Sequence, residues 1–229
     1  MLSSRSSLSR FATDRMFRPY SRAGVAMLYG ATGTRDSWFA LNDAYWPSGE
    51  IKAITEAGFP VGSVDTLDGW GNDDLLDDLT DMKAEGDASY FASGRWHLLG
   101  ASAGGLTILN WAKANPALVK SLTLLIPVLD VQDVYTNNRG GFASVISTAY
   151  GGAPPDSHNP ADNYSSFADI PIKLYYSTTD TITPLAITQA FISGVGDNVE
   201  GVNMGAQGHF WDYAVFTPAS IVEFLEAND

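Results

Sequence analysis

The chain has no cysteine. Disulfides, thiolate metal sites and cysteine nucleophiles are therefore excluded. The compartment stays open, because a secreted protein need not carry cysteine. Only three histidines occur in 229 residues, so chemistry that needs an imidazole has three candidates. Basic residues are few: 13 Lys and Arg stand against 26 Asp and Glu, a net charge of −13. Such a chain repels polyanions, which argues against nucleic acid as a partner and against binding an anionic membrane by charge. No apolar run approaches the roughly 20 residues that cross a bilayer. No N-terminal stretch has the apolar segment of a secretory signal. What is present, 45% hydrophobic and 12% aromatic residues, is the make-up of a soluble globular chain. It is long enough to bury a core as one domain, 1–229.

Residues 1–23 differ from the rest. Arg5, Arg10, Arg15, Arg18 and Arg22 are five of the thirteen basic residues, set among serines. The composition admits an organellar transit peptide; the expectation is an ordered N-terminal arm. Beyond it, apolar runs alternate with helical patterns. Runs at 24–29, 59–65, 95–99, 122–127, 172–176 and 199–204 are apolar on both faces or nearly so, which suits buried parallel strands. Helical spacing is expected near 49–58, 72–85, 184–192 and 218–227, the last capped by Thr217. Trp38, Phe39, Trp46 and Pro47 fall in a connecting loop. The fold class is therefore α/β, a mostly parallel sheet covered by helices on both faces. Residues 128–170, rich in Asn, Gly, Pro and Asp, interrupt the rhythm as an insertion. Within them Phe142, Val145, Ile146 and Tyr150 are spaced like one face of a short helix. Asp73, Asp74, Asp77, Asp78 and Asp81 make an acidic face on the 72–85 helix. They lack the spacing of an EF-hand and read as a solvated surface.

One stretch organises the chain: Trp96-His97-Leu98-Leu99-Gly100-Ala101-Ser102-Ala103-Gly104-Gly105-Leu106. It is an apolar strand, a turn of tiny residues around one serine, and the start of a helix that ends at Asn115-Pro116. Gly100 to Gly104 fit Gly-x-Ser-x-Gly, the nucleophile elbow. Reversing a strand into a helix so tightly brings two backbones together, and side chains at 100 and 104 would collide.

A serine hydroxyl needs a base, and the base needs an orienting group. His97 lies inside the strand that feeds the elbow and reads as a core histidine. His158 lies in the polar insertion, where a surface role is the default. His209, in Gly205-Ala206-Gln207-Gly208-His209-Phe210, follows the last strand at the sheet's C-terminal edge, where ligand sites of open parallel sheets lie. It is the expected base. The acid is expected from Asp180, after the 172–176 strand, with Asp130 as the rival and Asp133 as a weaker one.

The order Ser102, Asp180, His209, with the elbow between strand and helix, resembles the α/β-hydrolase superfamily. Leu28-Tyr29-Gly30-Ala31-Thr32-Gly33-Thr34 is similar to that family's oxyanion loop, and Asp65-Thr66-Leu67-Asp68-Gly69-Trp70-Gly71 to its Asp/Gly loop. The likeness runs from about residue 24 to the end. It implies that the sheet holds the later strands of the family's eight, the first two coming from residues 1–23 or being reduced. It also implies an oxyanion hole made by the backbone N–H groups of Ala103 and Ala31. Tyr29 stands where many members have histidine. The implied activity is hydrolysis of carboxylic esters through an acyl-enzyme, with no cofactor and no metal.

The resemblance places a cap at residues 128–170. Phe142, Val145 and Ile146 from this cap, with Trp38, Phe210 and Trp211 beside the loops, are the candidate substrate-binding residues. A short, polar cap points to short or medium acyl groups on a small-molecule or lipid-like ester. Thioesterase, acyltransferase and peptidase use the same machinery. Outside enzymes, the alternative is a hydrolase-like binding or structural module of a larger phage or cell-envelope assembly. The sequence leaves the oligomeric state open.

Overall fold

The computed structural model describes residues 9–12, 22–38, 49–89 and 94–229. Within them the strands are β1 (Ser9–Ala12), β2 (Val25–Leu28), β3 (Val61–Val64), β4 (Trp96–Ala101), β5 (Val119–Leu125), β6 (Ile172–Tyr176) and β7 (Val199–Asn203). The helices are α1 (Glu50–Glu56), α2 (Asp73–Ser89), α3 (Ala103–Ala114), α4 (Val131–Thr136), α5 (Ala143–Tyr150), α6 (Leu185–Val195) and α7 (Pro218–Ala227).

The sheet order is β1-β3-β2-β4-β5-β6-β7. Strands β2 to β7 run parallel, and β1 pairs antiparallel with β3, Ser9 opposite Val64 and Ala12 opposite Val61. The N-terminal segment thus supplies one strand among the described residues. Residues 1–8 and 13–21 of the expected arm, and Phe39, Trp46 and Pro47 of the expected loop, lie outside them.

Alternation along each strand splits the core in two. Ala26, Leu28, Leu98, Leu122, Leu124 and Leu174 pack with Leu75, Leu79 and Met82 of α2, Ile108, Leu109 and Trp111 of α3, and Phe191 of α6. Val25, Met27, Leu99, Leu125 and Tyr175 pack with Ile54 of α1 and Ile221 and Leu225 of α7. Covered on both faces, the inner strands β2 and β4 are almost wholly apolar and fully buried, whereas the edge strand β7 is open and carries Glu200 and Asn203. At α7 the Thr217 hydroxyl accepts from the Ser220 N–H at 3.2 Å, and the Ser220 hydroxyl accepts from the Thr217 N–H, a reciprocal cap.

Several boundaries differ from expectation by a few residues: α2 runs on to Ser89 and α6 to Val195. Strand β5 begins at Val119, three residues before the expected 122. The insertion holds α4, which the sequence did not suggest. Only six residues long, it depends on its cap: the Asp130 carboxylate accepts from the Asp133 N–H at 2.9 Å.

Candidate active site

Strand β4 passes into α3 through a single residue, Ser102. Its φ of 51° and ψ of −120° lie outside the conformations that L-residues ordinarily adopt. The surroundings hold it there. The Ser102 N–H donates to the Leu125 carbonyl at 3.0 Å, and the Ser102 carbonyl accepts from Gly105 and Val128 N–H, each at 3.0 Å. Gly100 and Gly104 are required by close approach. A Cβ at 100 would sit 2.6 Å from the Gly104 carbonyl oxygen, and one at 104 would sit 2.5 Å from that of Leu28. Strain over-determined by its neighbours is a feature of functional sites.

The Ser102 hydroxyl lies 2.8 Å from Nε2 of His209. Nδ1 of His209 lies 2.8 Å from Oδ2 and 3.0 Å from Oδ1 of Asp180. A carboxylate can only accept, so Nδ1 carries the imidazole proton and Nε2 presents its lone pair to the serine hydroxyl. Asp180 is 8% exposed. Its Oδ1 also accepts from the N–H groups of Ile182 at 2.8 Å and Thr183 at 2.9 Å, which fixes the carboxylate's orientation.

The loops that carry Asp180 and His209 are stitched together by hydroxyl groups. Ser177 Oγ accepts from the Gln207 N–H at 2.9 Å, Thr179 Oγ1 accepts from the Gly208 N–H at 3.0 Å, and the Thr178 N–H donates to the Gly205 carbonyl at 2.8 Å. The Thr183 hydroxyl ties the acid loop to the Pro127 carbonyl at 2.8 Å. Sequence reasoning missed these positioning residues. The signal was the hydroxyl run Ser177-Thr178-Thr179 directly before Asp180.

The other candidates are engaged elsewhere. Asp130 caps α4, and Asp133 pairs with Arg139. His97 is fully buried, its Nδ1 2.8 Å from the Ser121 hydroxyl and its ring edge-on to Phe59. Burial pushes its pKa down to about 4, with Asp229 opposing that shift and Lys120 and Arg95 adding to it. His158 hydrogen-bonds Asp73 at 3.0 Å, away from Ser102.

Gly30 to Gly33 form a tight turn against the serine. The Gly33 N–H donates to the Gly30 carbonyl at 2.8 Å, and the Thr66 hydroxyl bridges the Gly30 and Gly33 carbonyls at 3.1 and 3.0 Å. The Asp68 N–H donates to the Ala31 carbonyl at 3.3 Å, and the Arg35 N–H to Asp65 at 2.7 Å. The Asp65–Gly71 loop thereby clamps the turn. Among the described residues the N–H groups of Ala31 and Ala103 have no acceptor, and Ala103 is the first residue of α3, at the positive end of the helix.

A cavity of about 520 Å³ opens beside Ser102 and His209. Phe142, Phe210 and Trp211 line it as expected, joined by Tyr29, Ile126 and Tyr213, which were not among the expected substrate-binding residues. Trp38, Val145 and Ile146 do not line it. Trp38 is fully buried behind Tyr29, ring centroids 5.5 Å apart. Ile146 and Val145 pack with Val131 and Val134 of α4 and with Trp70, so the apolar face of α5 anchors the insertion to the body. The Tyr150 hydroxyl donates to the Trp70 carbonyl at 2.6 Å, and Asn72 donates to the Ala149 carbonyl at 3.0 Å. Ile126 has a φ of 41°, a left-handed value that a β-branched residue rarely adopts. Among the described residues no cluster of His, Asp or Glu could hold a metal ion, and no helix is long and apolar enough to cross a membrane.

No protein-family model matches the chain, and no curated protein matches it significantly. Solved structures do. Est1E from Butyrivibrio proteoclasticus, solved with ferulic acid bound, is 14% identical over 96% of this chain and 94% of that one, TM-score 0.66. An esterase of Pyrococcus furiosus is 18% identical over 91% and 82%, TM-score 0.68. A monoacylglycerol lipase of Paleococcus ferrophilus is 13% identical over 96% and 98%, TM-score 0.64. The likeness is one of fold: this chain has the α/β-hydrolase fold.

Proposed function

From an α/β-hydrolase fold that carries this serine, histidine and aspartate, we propose that the protein hydrolyses carboxylic esters through an acyl-enzyme on Ser102. One observation carries the reading: the unbroken line from Ser102 Oγ to His209 Nε2, 2.8 Å, and from His209 Nδ1 to Asp180, 2.8 Å, at a strained turn that opens on a cavity. A domain used only for binding has no need of all three groups in register.

Ser102 Oγ attacks the ester carbonyl carbon as His209 Nε2 takes its proton. Asp180 holds the imidazole and balances the cation that forms. The oxyanion lies between the N–H groups of Ala103 and Ala31, each worth about 3–4 kcal/mol in the transition state. The C–O bond to the alcohol breaks, and His209 returns its proton to the leaving oxygen. Water, deprotonated by His209, then attacks the acyl group, and Ser102 Oγ recovers the proton. The hole depends on backbone donors, so Tyr29 in place of a histidine leaves it intact. The neighbours of this fold that are named esterases or lipases favour esters over other acyl donors.

The test is labelling of the folded protein by a fluorophosphonate, compared with Ser102→Ala, beside hydrolysis of a graded panel of esters, thioesters and peptides. The reading predicts labelling that vanishes in the variant, and esters as the best substrates. Absence of labelling in the folded wild-type protein would return the chain to the binding alternative.

A further inference from the structure

We infer that the cavity selects neutral esters bearing an aryl ring, an inference that rests on the hydrolase reading above. Among the described residues five aromatic side chains border the space beside Ser102: Tyr29, Phe142, Phe210, Trp211 and Tyr213. Three of them stand edge to face in series. Tyr29 and Trp211 have centroids 6.2 Å apart at 85°, and Trp211 and Tyr213 6.3 Å apart at 82°. Rings behind hold two of the lining rings in place. Trp38 lies edge-on behind Tyr29, and Trp70 packs on Phe142 at 4.9 Å. Four of the five rings, Tyr29, Phe142, Trp211 and Tyr213, are thus held by other rings.

Charge narrows the ligand. Among the described residues no Asp, Glu, Lys or Arg lines the cavity, and its one imidazole, His209, is engaged with Ser102 and Asp180. A substrate carboxylate or ammonium would lose hydration there without gaining a partner. The net charge of −13 further disfavours an anion. A volume of about 520 Å³ suits a compact small molecule. An alkyl chain in this space gains only from burial. An aryl ring also gains edge-to-face or offset contacts with fixed rings, each worth about two- to tenfold in an equilibrium constant. Phe210 lines the site and is 72% exposed, so its ring is open to contact with an entering one. The bonds made and broken are those of the acyl transfer above.

The experiment compares kcat/KM for two pairs of neutral esters matched in carbon count. Methyl 3-phenylpropanoate against methyl nonanoate carries the ring on the acyl side. 2-Phenylethyl acetate against octyl acetate carries it on the alcohol side. The expected result is that at least one aryl ester exceeds its alkyl match by about tenfold or more, and that Phe210→Ala and Trp211→Leu each shrink that ratio. Trp211 is packed at its back, so its variant risks misfolding; Phe210 is exposed, and its variant keeps the test sound. Ratios near or below one in both pairs overturn the inference and leave ester hydrolysis standing. A preference that persists unchanged in folded variants overturns the assignment to these rings. Failure to turn over any of the four esters overturns it as well, and fluorophosphonate labelling of Ser102 then tells whether the hydrolase reading falls with it.

Discussion

Acid should destabilise this protein through His97. The imidazole sits near the start of β4 with no exposure, facing Ser121 and Phe59. Its Nε2 is 3.7 Å from Asp229, too far for a hydrogen bond. Burial lowers the folded pKa from 6.5 to about 4. The unfolded chain therefore binds this proton more readily than the folded one. Stability is fully present above about pH 6.5 and is lost as the pH falls towards about 4. At roughly 1.4 kcal/mol per tenfold in proton affinity, the complete loss is about 3 kcal/mol. Most of it, about 2 kcal/mol, has gone by about pH 5. That is a sizeable part of the roughly 5–15 kcal/mol that holds a domain together. The assay is urea unfolding at pH 7.5 and pH 5 for the wild type and His97→Gln. Other titrating groups act on both proteins, so the informative quantity is the difference of differences. The wild type should lose about 2 kcal/mol more than the variant across that interval. Parallel pH–stability curves would refute the reasoning. So would an NMR titration of the His97 ring with its midpoint near 6.5, a measurement that does not depend on the variant folding.

Three further outcomes are expected. Asp180→Asn removes the acceptor that fixes the His209 tautomer; by analogy with other triads kcat should fall by about 10⁴, and a loss below about tenfold in steady-state assays would reassign the acid. Gly104→Ala puts a methyl group 2.5 Å from the Leu28 carbonyl oxygen, and closer still to that of Tyr29, where only backbone can yield. Denaturant midpoints should register a cost of about 1–3 kcal/mol or more, and on the proposed mechanism the folded fraction should lose activity because the Gly30–Gly33 turn is displaced. Glu50 is buried at the start of α1, and burial raises its pKa despite the nearby N–H groups of Glu50 and Gly49. Here the folded state holds the proton more tightly, so stability present at low pH is lost as the pH rises through the folded pKa. Glu50→Gln should therefore gain on the wild type in Tm between pH 4 and pH 8, and a constant difference across that range contradicts the argument.

The elements that matched expectation most closely were those governed by local rules. Strand β6 and helix α7 have the expected boundaries, the latter with Thr217 as its cap. Short-range chemistry also selected Ser102, flanked by glycines that a strand-to-helix reversal demands. The same rules failed in the insertion. Val145, Ile146 and Tyr150 do share α5, with Phe142 at its N-cap, but spacing identifies an apolar face and not what it meets. In the structure that face meets α4 and Trp70, and of this set only Phe142 lines the cavity. Helix α4 has too few residues to show a period, and its cap, Asp130, looked like a candidate acid.

By itself the sequence determined what the chain can do chemically: no thiol, three imidazoles, a serine at a glycine-flanked turn, and strands apolar enough to be buried on both faces. Those are properties of residue type and near neighbours. The tertiary structure alone decided partnership. It brought Ser102, His209 and Asp180, far apart in the chain, within hydrogen-bonding distance, because parallel strands deliver their C-terminal loops to one edge. It turned Tyr29, Ile126 and Tyr213 towards the cavity and Trp38 away from it. Which way a side chain faces across a packed interface depends on everything that packs against it, and no local pattern encodes that.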